Sequence, residues 1–408
     1  MIELVAPESV GIPSERLVAI DAAMQAYIDD GKFAGISTLM ACKGKVIHFG
    51  CYGKLNISTG VPIRPDSLFR IYSLTKPIIA AAALILYEDG LFDLDQPVSK
   101  WIPEFKNFRV YQEGYSVNGT TSALETEITF WHLFTHTSGL GYGFAEPSDP
   151  VDKLYQEAGL QIPPLLTLRY PLPELVRRVS TLPLRAQPGA IWHYGLSHDV
   201  LGILIKVISG RTCEEFMHER LFTPLGMVDT SFFVAPEKLA RFGPLYSYSD
   251  ESGLMIVDEV TTSPFVRSDV IPSGGGGLVS TMPDYYRFMS MLANGGILEG
   301  VRILKQSTVT MMTTNQLSGS AFPVRFDDPW SGMGYGLGIG VQTLESKQVG
   351  WIGASGTTAW WFPQEDVIVI AFPQAYFNWE ASERLVGMAS ELFGNSANTR
   401  TTSVIADL

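Results

Sequence analysis

Ser73 and Lys76 are the residues of this chain whose types and spacing could do chemistry together. They form an S-x-x-K sequence that occurs once in 408 residues and leads into an apolar, alanine-rich segment at residues 78–87. If that segment is helical, residues three apart share a face, and the lysine amine lies beside the serine hydroxyl. Burial beside apolar side chains disfavours a charged ammonium, so such a lysine can accept a proton. The pair therefore predicts a serine nucleophile that works without a histidine.

The S-x-x-K sequence is a weak signal by itself. Ordinary serine and lysine frequencies give about one chance match in a chain of this length. The alternative interpretation is a serine that caps a helix next to a solvated lysine. Further residues must therefore be found for the chemistry to hold.

Tyr194 is a candidate for a second base, because it stands just before the apolar segment at residues 198–208. A tyrosine in such a place is more often part of a core. A phenol close to a lysine ammonium ionises more easily, however, and the phenolate could take the Ser73 proton. Its role depends on Ser73 and Lys76 lying nearby.

The sequence at residues 350–357 predicts a short strand that enters a glycine turn. Glycines at a strand edge can mean only a bulge or close packing. An edge strand can also lie alongside a bound acyl group and direct one N–H at a developing oxyanion. We take the Ala354 N–H as the candidate donor.

Five segments in order resemble motifs of the class C β-lactamase and penicillin-binding-protein superfamily. The first three are S-x-x-K at residues 73–76, Y-x-L at 194–196 where that superfamily has Y-x-N, and W-I-G at 351–353 where it has K-T-G. The other two are connecting segments at 133–140 and 274–281. The resemblance spans nearly the whole chain and is strongest to the serine-esterase branch known as family VIII carboxylesterases.

Two departures from that pattern bear on the substrate. Leu196 stands where lactamases carry an amide that holds the substrate, and it makes no side-chain hydrogen bond. Trp351 stands where a lysine holds a substrate carboxylate, so the point charge is absent. Both changes favour a neutral ester with an apolar part over an anionic lactam. We expect the substrate to contact Tyr72, Leu196, Trp351 and Gly353.

The resemblance implies a mechanism with a covalent acyl-enzyme. Ser73 attacks the ester carbonyl, and Tyr194 with Lys76 takes its proton. Backbone N–H groups of Ser73 and Ala354 hold the oxyanion, and water then releases the acid. Neither a metal nor a cofactor is required. The expected activity is that of a serine carboxylesterase for small, short-chain esters.

Three other functions stay open. An acyltransferase would pass the same acyl group to an alcohol or amine, and a β-lactamase or peptidase would attack an amide. A scaffold or sensor built on this fold would tolerate loss of the catalytic residues, whereas Ser73, Lys76 and Tyr194 are all present.

Rival catalytic and binding motifs are poorly supported. The sequence has no G-x-S-x-G nucleophile elbow. His132 and His136 have zinc-like helical spacing, but the glutamate of H-E-x-x-H is missing. Four glycines at residues 274–277 lack the lysine of a phosphate loop, so we expect only a turn near the sheet. His193 and His198 flank Tyr194 and could tune or line the site.

Composition excludes several classes of protein. Hydrophobic residues make up 46% and charged residues 17%, which is typical of a globular enzyme with a large core. The net charge of −13, without a basic run, argues against nucleic acid or a membrane surface as partner. The three cysteines, an odd number without C-x-x-C spacing, favour neither a disulfide framework nor a zinc cage. No signal peptide is visible, so we expect a cytoplasmic enzyme whose partner is a small ester; a homo-oligomer is left open.

The patterning of the chain predicts strands at both ends and helices between them. Helical patterns cover residues 14–30, 78–87, 198–208 and 284–292, and strand patterns cover 35–42, 45–50, 335–343, 348–352, 358–362 and 367–372. The fold class is therefore α+β, an α/β sandwich of the β-lactamase and transpeptidase kind. Its antiparallel sheet is built from both ends of the chain and flanked by helices. We expect this sheet domain at residues 1–85 and 200–408, a smaller helical domain at 86–199, and the active site between them.

Overall fold

The structure is a computed structural model of the chain. It describes residues 2–112, 120–143, 149–160, 172–268, 272–325, 332–344 and 347–393.

The α-helices of the described residues are distributed along the whole chain. They are α1 Ser14–Asp29, α2 Thr75–Glu88, α3 Phe130–Phe134, α4 Pro150–Glu157, α5 Leu172–Ser180, α6 Ser197–Ser209, α7 Cys213–Met217, α8 Thr223–Leu225, α9 Met282–Ala293, α10 Gln306–Met312 and α11 Glu380–Leu392.

The strands fall into one large sheet and several short pairs. They are β1 Gly35–Cys42, β2 Lys45–Asn56, β3 Val61–Pro62, β4 Phe69–Arg70, β5 Arg109–Tyr111, β6 Thr121–Ala123, β7 Leu245–Ser249, β8 Gly253–Asp258, β9 Val279–Ser280, β10 Ile297–Leu298, β11 Val301–Arg302, β12 Met333–Tyr335, β13 Gly340–Gln342, β14 Val349–Ile352, β15 Thr358–Phe362 and β16 Val367–Pro373.

The large sheet joins the two ends of the chain. Its eight strands have the order β12-β13-β14-β15-β16-β1-β2-β3, and the neighbouring pairs are antiparallel. β1 pairs with β16 along seven residues, from Ile36 opposite Pro373 to Cys42 opposite Val367. The expected antiparallel sheet from N- and C-terminal strands is confirmed.

Helices cover the centre of this sheet. Every residue of β1 and β16 is buried, which requires that both faces of the central strands are covered. α1 and α11 pack beside each other and on the sheet, and α9 packs over β1, β15 and β16. Tyr285 of α9 meets the ring of Phe372 at 5.8 Å, edge to face.

α2 is a core helix, as its apolar sequence predicts. All its residues from Thr75 to Leu86 are buried, and it packs against α6. A helix that is apolar on every side is stable only when it is enclosed. Pro77 is tolerated because it lies in the first turn, where a backbone N–H has no partner within the helix. The start of α2, which carries Lys76, is therefore held rigidly inside the molecule.

The predicted elements agree with the structure except at one strand. Residues 335–343, expected as one strand, form the end of β12, a turn and β13, paired with Tyr335 opposite Gly340. Gly338 in that turn has φ +83° and donates its N–H to the Phe134 carbonyl, 2.9 Å away. A positive φ is incompatible with an extended strand, so the chain reverses there. The C-terminal helix α11 was not predicted.

All strands of the large sheet come from residues 35–62 and 333–373, on either side of the segment expected to be a helical domain. The boundaries of the two expected domains stay a prediction. Among the described residues, none of the helices combines the length and the apolar character that crossing a membrane demands.

Candidate active site

The chain around Ser73 is fixed by bonds on both sides. β4 pairs with β9, and the Arg70 guanidinium contacts the Asp258 carboxylate at 2.6 Å, both buried. Tyr72 follows in a left-handed conformation with φ +41°, which costs energy for a residue with a side chain. A 3₁₀ turn, Tyr72–Leu74, then leads into α2. This turn presents the partly exposed Ser73 at the start of the helix.

Lys76 lies beside Ser73, as the spacing predicts. Its Nζ is 3.1 Å from Ser73 Oγ, 3.4 Å from the hydroxyl of Tyr142 and 2.6 Å from the carbonyl oxygen of Gly275. The ammonium also faces the ring of Tyr194, 4.4 Å from its centre. The lysine is completely buried. It therefore acts on Ser73 and Tyr194 and not on solvent.

Tyr194 completes the group that the sequence predicted. Its hydroxyl donates to Ser73 Oγ at 2.7 Å. The next residue, Gly195, lies so close to the Leu140 carbonyl oxygen that a Cβ would overlap with it. The Leu196 N–H donates to the Gly141 carbonyl at 3.1 Å. The connecting segment at 133–140 is thus a support on which the tyrosine loop rests.

Tyr142 is a site residue that the sequence analysis missed. It is buried, and its hydroxyl interacts with both Lys76 Nζ and Ser73. Burial, followed by the nearby Tyr194, raises its pKa well above the usual value, so the phenol stays neutral. Its backbone N–H donates to Asp152 at 2.6 Å. Its position just after the connecting motif at 133–140 was the available signal.

The glycine turn at 274–277 has a closer connection to the site than expected. We had expected only a turn near the sheet, but the Gly275 carbonyl accepts from Lys76. Added Cβ atoms at Gly274 and Gly275 would meet the His198 carbonyl oxygen and the Asp199 carboxylate. Glycine is required there because the turn lies directly on α6.

Trp351 borders the site from the C-terminal end of β14, which lies between β13 and β15 and is not the edge strand that was considered from the sequence. It is buried, and its indole N–H donates to the Tyr194 hydroxyl at 3.4 Å. Its ring meets Tyr335 edge to face at 5.1 Å. The tryptophan therefore contributes a polar contact to the phenol in addition to the apolar surface that was expected.

The turn after β14 is held against the nucleophile segment. A Cβ at Gly353 would overlap with the Ile71 carbonyl oxygen, and Ser355 Oγ donates to the Arg70 carbonyl at 2.5 Å. The Ala354 carbonyl accepts from the Phe377 N–H at 2.7 Å. These bonds fix the backbone from which the Ala354 N–H would reach an oxyanion, a role that stays a prediction.

Two other expected substrate contacts are deeply buried. The Tyr72 ring is completely buried and meets Phe265 edge to face at 5.9 Å, so its surroundings are those of a core side chain. Leu196 is buried at the start of α6. Their contact with substrate stays a prediction, whereas Ser73, Lys76 and Tyr194 are brought together.

The histidines of the region have separate partners. The His132 ring caps α3 through Thr129, whereas His136 Nδ1 faces the Gly195 N–H at 3.4 Å. The two rings therefore do not converge as zinc ligands. Burial lowers the pKa of His136 and His198 well below the usual value, and nearby positive charge on Lys76 adds to this. Both rings are neutral at pH 7.

One cluster of possible metal ligands occurs in the described residues, at Asp149, Asp152 and His193. Both carboxylates have other partners. Asp149 pairs with Arg185, and Asp152 accepts from the N–H groups of Tyr142 and Gly143. The structural role of Asp152 is therefore to hold the loop that carries Tyr142.

Comparison with known proteins identifies the family of this chain. The sequence model of the β-lactamase family matches residues 20–389. The chain belongs to the β-lactamase family. Together with the similar proteins named next, this makes it a serine hydrolase of that family.

Two similar proteins and one similar solved structure carry informative names. Esterase EstB of Burkholderia gladioli is 29% identical, over 72% of this chain and 74% of its own. Acyltransferase calJ of Penicillium decumbens is 30% identical, over 80% of each chain. The solved structure of EstCE1, a hydrolase with promiscuous acyltransferase activity, superposes with a TM-score of 0.77 at 23% identity, over 93% of this chain and 98% of that one.

Proposed function

We propose that the protein is a serine carboxylesterase that hydrolyses small, neutral, short-chain esters. The observation that carries this is the hydrogen bond between the Tyr194 hydroxyl and Ser73 Oγ, at 2.7 Å, with Lys76 Nζ 3.1 Å from the same oxygen. A nucleophile needs a base within hydrogen-bond reach, and here it has two that face each other.

The chemistry proceeds through an ester of Ser73. Once the pair has lost one proton, the Tyr194 phenolate, beside the Lys76 ammonium, takes the Ser73 proton as Oγ bonds to the carbonyl carbon. Backbone N–H groups of Ser73 and Ala354 stabilise the oxyanion, and one such donor is commonly worth a factor of about 100–1,000 in kcat. The alcohol leaves with the proton from Tyr194. The same pair then deprotonates water, which attacks the acyl-enzyme; the bond to Ser73 Oγ breaks, Oγ regains the proton from Tyr194, and the acid is released.

The preference for a neutral ester rests on Leu196 and Trp351. Both are buried, and they stand where lactamases of the superfamily carry an amide and a lysine. The names of the relatives EstB and EstCE1, an esterase and a hydrolase, support the same reaction class. We expect aryl acetates and butyrates to be hydrolysed with a much higher kcat/KM than cephalosporins.

The experiment is a panel of esters and lactams run on the wild type and on Ser73→Ala. The variant should lose turnover and covalent labelling by a fluorophosphonate. Ser138→Ala is the matched control, because it removes a buried serine hydroxyl whose partners among the described residues are Ser197 and the Leu140 N–H. Retained esterase activity in Ser73→Ala, or equal turnover of lactams by the wild type, would refute the proposal.

Transfer of the acyl group to an alcohol is the second candidate. It uses the same acyl-enzyme and is supported by the names of acyltransferase calJ and EstCE1. Adding an acceptor alcohol to the ester assay separates the two. A transesterified product that exceeds the free acid at low acceptor concentration would favour a transferase. The cytoplasmic location and a homo-oligomeric state stay predictions.

A further inference from the structure

The Lys76 ammonium is buried among neutral partners. Among the described residues, its polar partners are the hydroxyls of Ser73 and Tyr142 and the carbonyl of Gly275, and it also faces the ring of Tyr194. Removing a charge from water is costly unless another charge or several dipoles compensate. A nearby anion is therefore the group to look for.

Asp199 is that anion. It lies in the first turn of α6, is 3% exposed, and interacts electrostatically with Lys76. Its Oδ1 accepts from the Ser273 hydroxyl at 2.6 Å and from the Gly275 N–H at 3.1 Å. Gly275 in turn gives its carbonyl to Lys76 at 2.6 Å. A single glycine residue thus links the carboxylate to the lysine.

The turn at 274–277 lies in direct contact with Asp199 because Gly275 has no side chain. A Cβ at Gly275 would lie 2.5 Å from Asp199 Oδ2, so the turn packs directly on the carboxylate. The Ser273 and Gly275 donors fix the carboxylate, and the carboxylate fixes the orientation of Gly275. The carbonyl is therefore directed at Lys76 before substrate binds.

We propose that Asp199 is a positioning residue for Lys76, which it serves both as buried counter-charge and as the anchor of the Gly275 carbonyl. This inference rests on the proposed serine hydrolase mechanism and extends it by one residue. Asp199 touches no reacting atom; it acts through Gly275 and through its charge.

The negative charge of Asp199 should affect how kcat/KM depends on pH. The coupled pair Lys76 and Tyr194 must lose one proton before Ser73 can be activated, and a nearby anion opposes that loss. Removing the anion therefore makes the pair easier to deprotonate, whichever partner loses the proton. The acid limb of the kcat/KM profile should move to lower pH.

The other titratable groups that face Lys76 and Asp199 have pKa values shifted away from neutrality. His136 and His198 have pKa values well below the usual value because they are buried, and burial holds the pKa of Tyr142 well above it. Burial raises the pKa of Asp199 itself, while Ser273 and then Lys76 lower it.

The test is the pH profile of Asp199→Asn, which removes the charge and keeps an oxygen that can accept from both donors. The acid limb for an aryl ester should move to lower pH by about 1 unit. Ser273→Ala keeps the charge and should leave the limb in place. If the asparagine variant is not folded by circular dichroism, Asp199→Ser replaces it.

Asp284→Asn is the matched control. Asp284 is equally buried and also accepts from a backbone N–H and a hydroxyl, those of Asp229 and Thr230. Its variant should lose stability without moving the limb. A limb unchanged in Asp199→Asn, or moved equally in Ser273→Ala, would overturn the proposal.

A second assay distinguishes failure of the proposed esterase function from failure of the proposed role of Asp199. If the wild type hydrolyses no ester, the rate of Ser73 labelling by a fluorophosphonate, measured against pH, gives the same comparison of variants. Labelling of the wild type that shifts in Asp199→Asn supports the role of Asp199 even where esterase activity is absent. If the wild type is not labelled at all, both proposals are wrong.

Discussion

The indole N–H of Trp351 donates to the hydroxyl of Tyr194 at 3.4 Å, so the C-terminal end of β14 is linked directly to the proposed base. The same hydroxyl donates to Ser73 Oγ at 2.7 Å. Where the superfamily places a lysine on this strand, the protein has a neutral donor. We therefore expect Trp351 to affect proton transfer as well as the preference among substrates.

Trp351→Phe should separate these two roles. Phenylalanine keeps an apolar ring and loses the N–H, so kcat/KM for all esters should fall by a similar factor of about 2–10, the worth of one hydrogen bond. Trp351→Ala should also change the order of preference among acetate, butyrate and hexanoate esters. Trp360→Phe on β15 is the control. Unchanged kinetics in Trp351→Phe would show that the N–H contact is unimportant.

Tyr142→Phe should weaken the hold on Lys76. The buried hydroxyl lies 3.4 Å from Lys76 Nζ, and its loss leaves one donor of the ammonium without its partner. We expect kcat/KM to fall by about 10-fold or more with little change in the circular dichroism spectrum. Tyr285→Phe removes a buried hydroxyl that bonds the Leu74 carbonyl at 3.0 Å and should affect stability more than kcat/KM. Equal losses of activity in both variants would argue against a specific role for Tyr142.

Sequence reasoning found the parts of the site that have a local signal. Ser73 and Lys76 are one helical turn apart, and Tyr194 opens an apolar helix, so motif spacing and the family resemblance together predicted them. Tyr142 and Gly275 were missed because their roles come from contacts with Lys76 across 66 and 199 residues of sequence. Neither helical nor strand periodicity in the sequence reveals a contact between residues so far apart.

The fold shows the same division between local and distant signals. The apolar strands of the sheet and the core helix α2 were predicted because their patterns are local. The break between β12 and β13 depends on Gly338, whose turn is fixed by the Phe134 carbonyl and packs against Ala80 of α2. Tertiary contact decided the conformation of a segment whose own sequence favours a strand.

Gly195→Ala should disturb the tyrosine loop. The new Cβ would overlap with the Leu140 carbonyl oxygen, and backbone cannot move aside as a side chain can. We expect a loss of about 1–3 kcal/mol in the free energy of unfolding and at least a 10-fold loss in kcat/KM as Tyr194 moves away from Ser73. Gly387→Ala in α11, where a Cβ meets open space, should instead raise stability by up to about 1 kcal/mol. A Gly195→Ala enzyme with normal kinetics would contradict this account of the loop.

The buried histidines should make stability depend on pH. Burial lowers the pKa of His136 and His198 well below the ordinary value of 6.5, so between the two values the unfolded chain binds protons that the folded protein does not. Their contribution to stability is complete above about pH 6.5 and is lost as the pH falls below it. Glu383 acts in the opposite direction, because burial raises its pKa to about 7.

Urea unfolding of the wild type and of His198→Gln at pH 7.5 and 5.5 measures the histidine contribution, since Glu383 is common to both proteins. The wild type should lose more stability between these values than the variant, and equal losses would mean that His198 takes up its proton in the folded state.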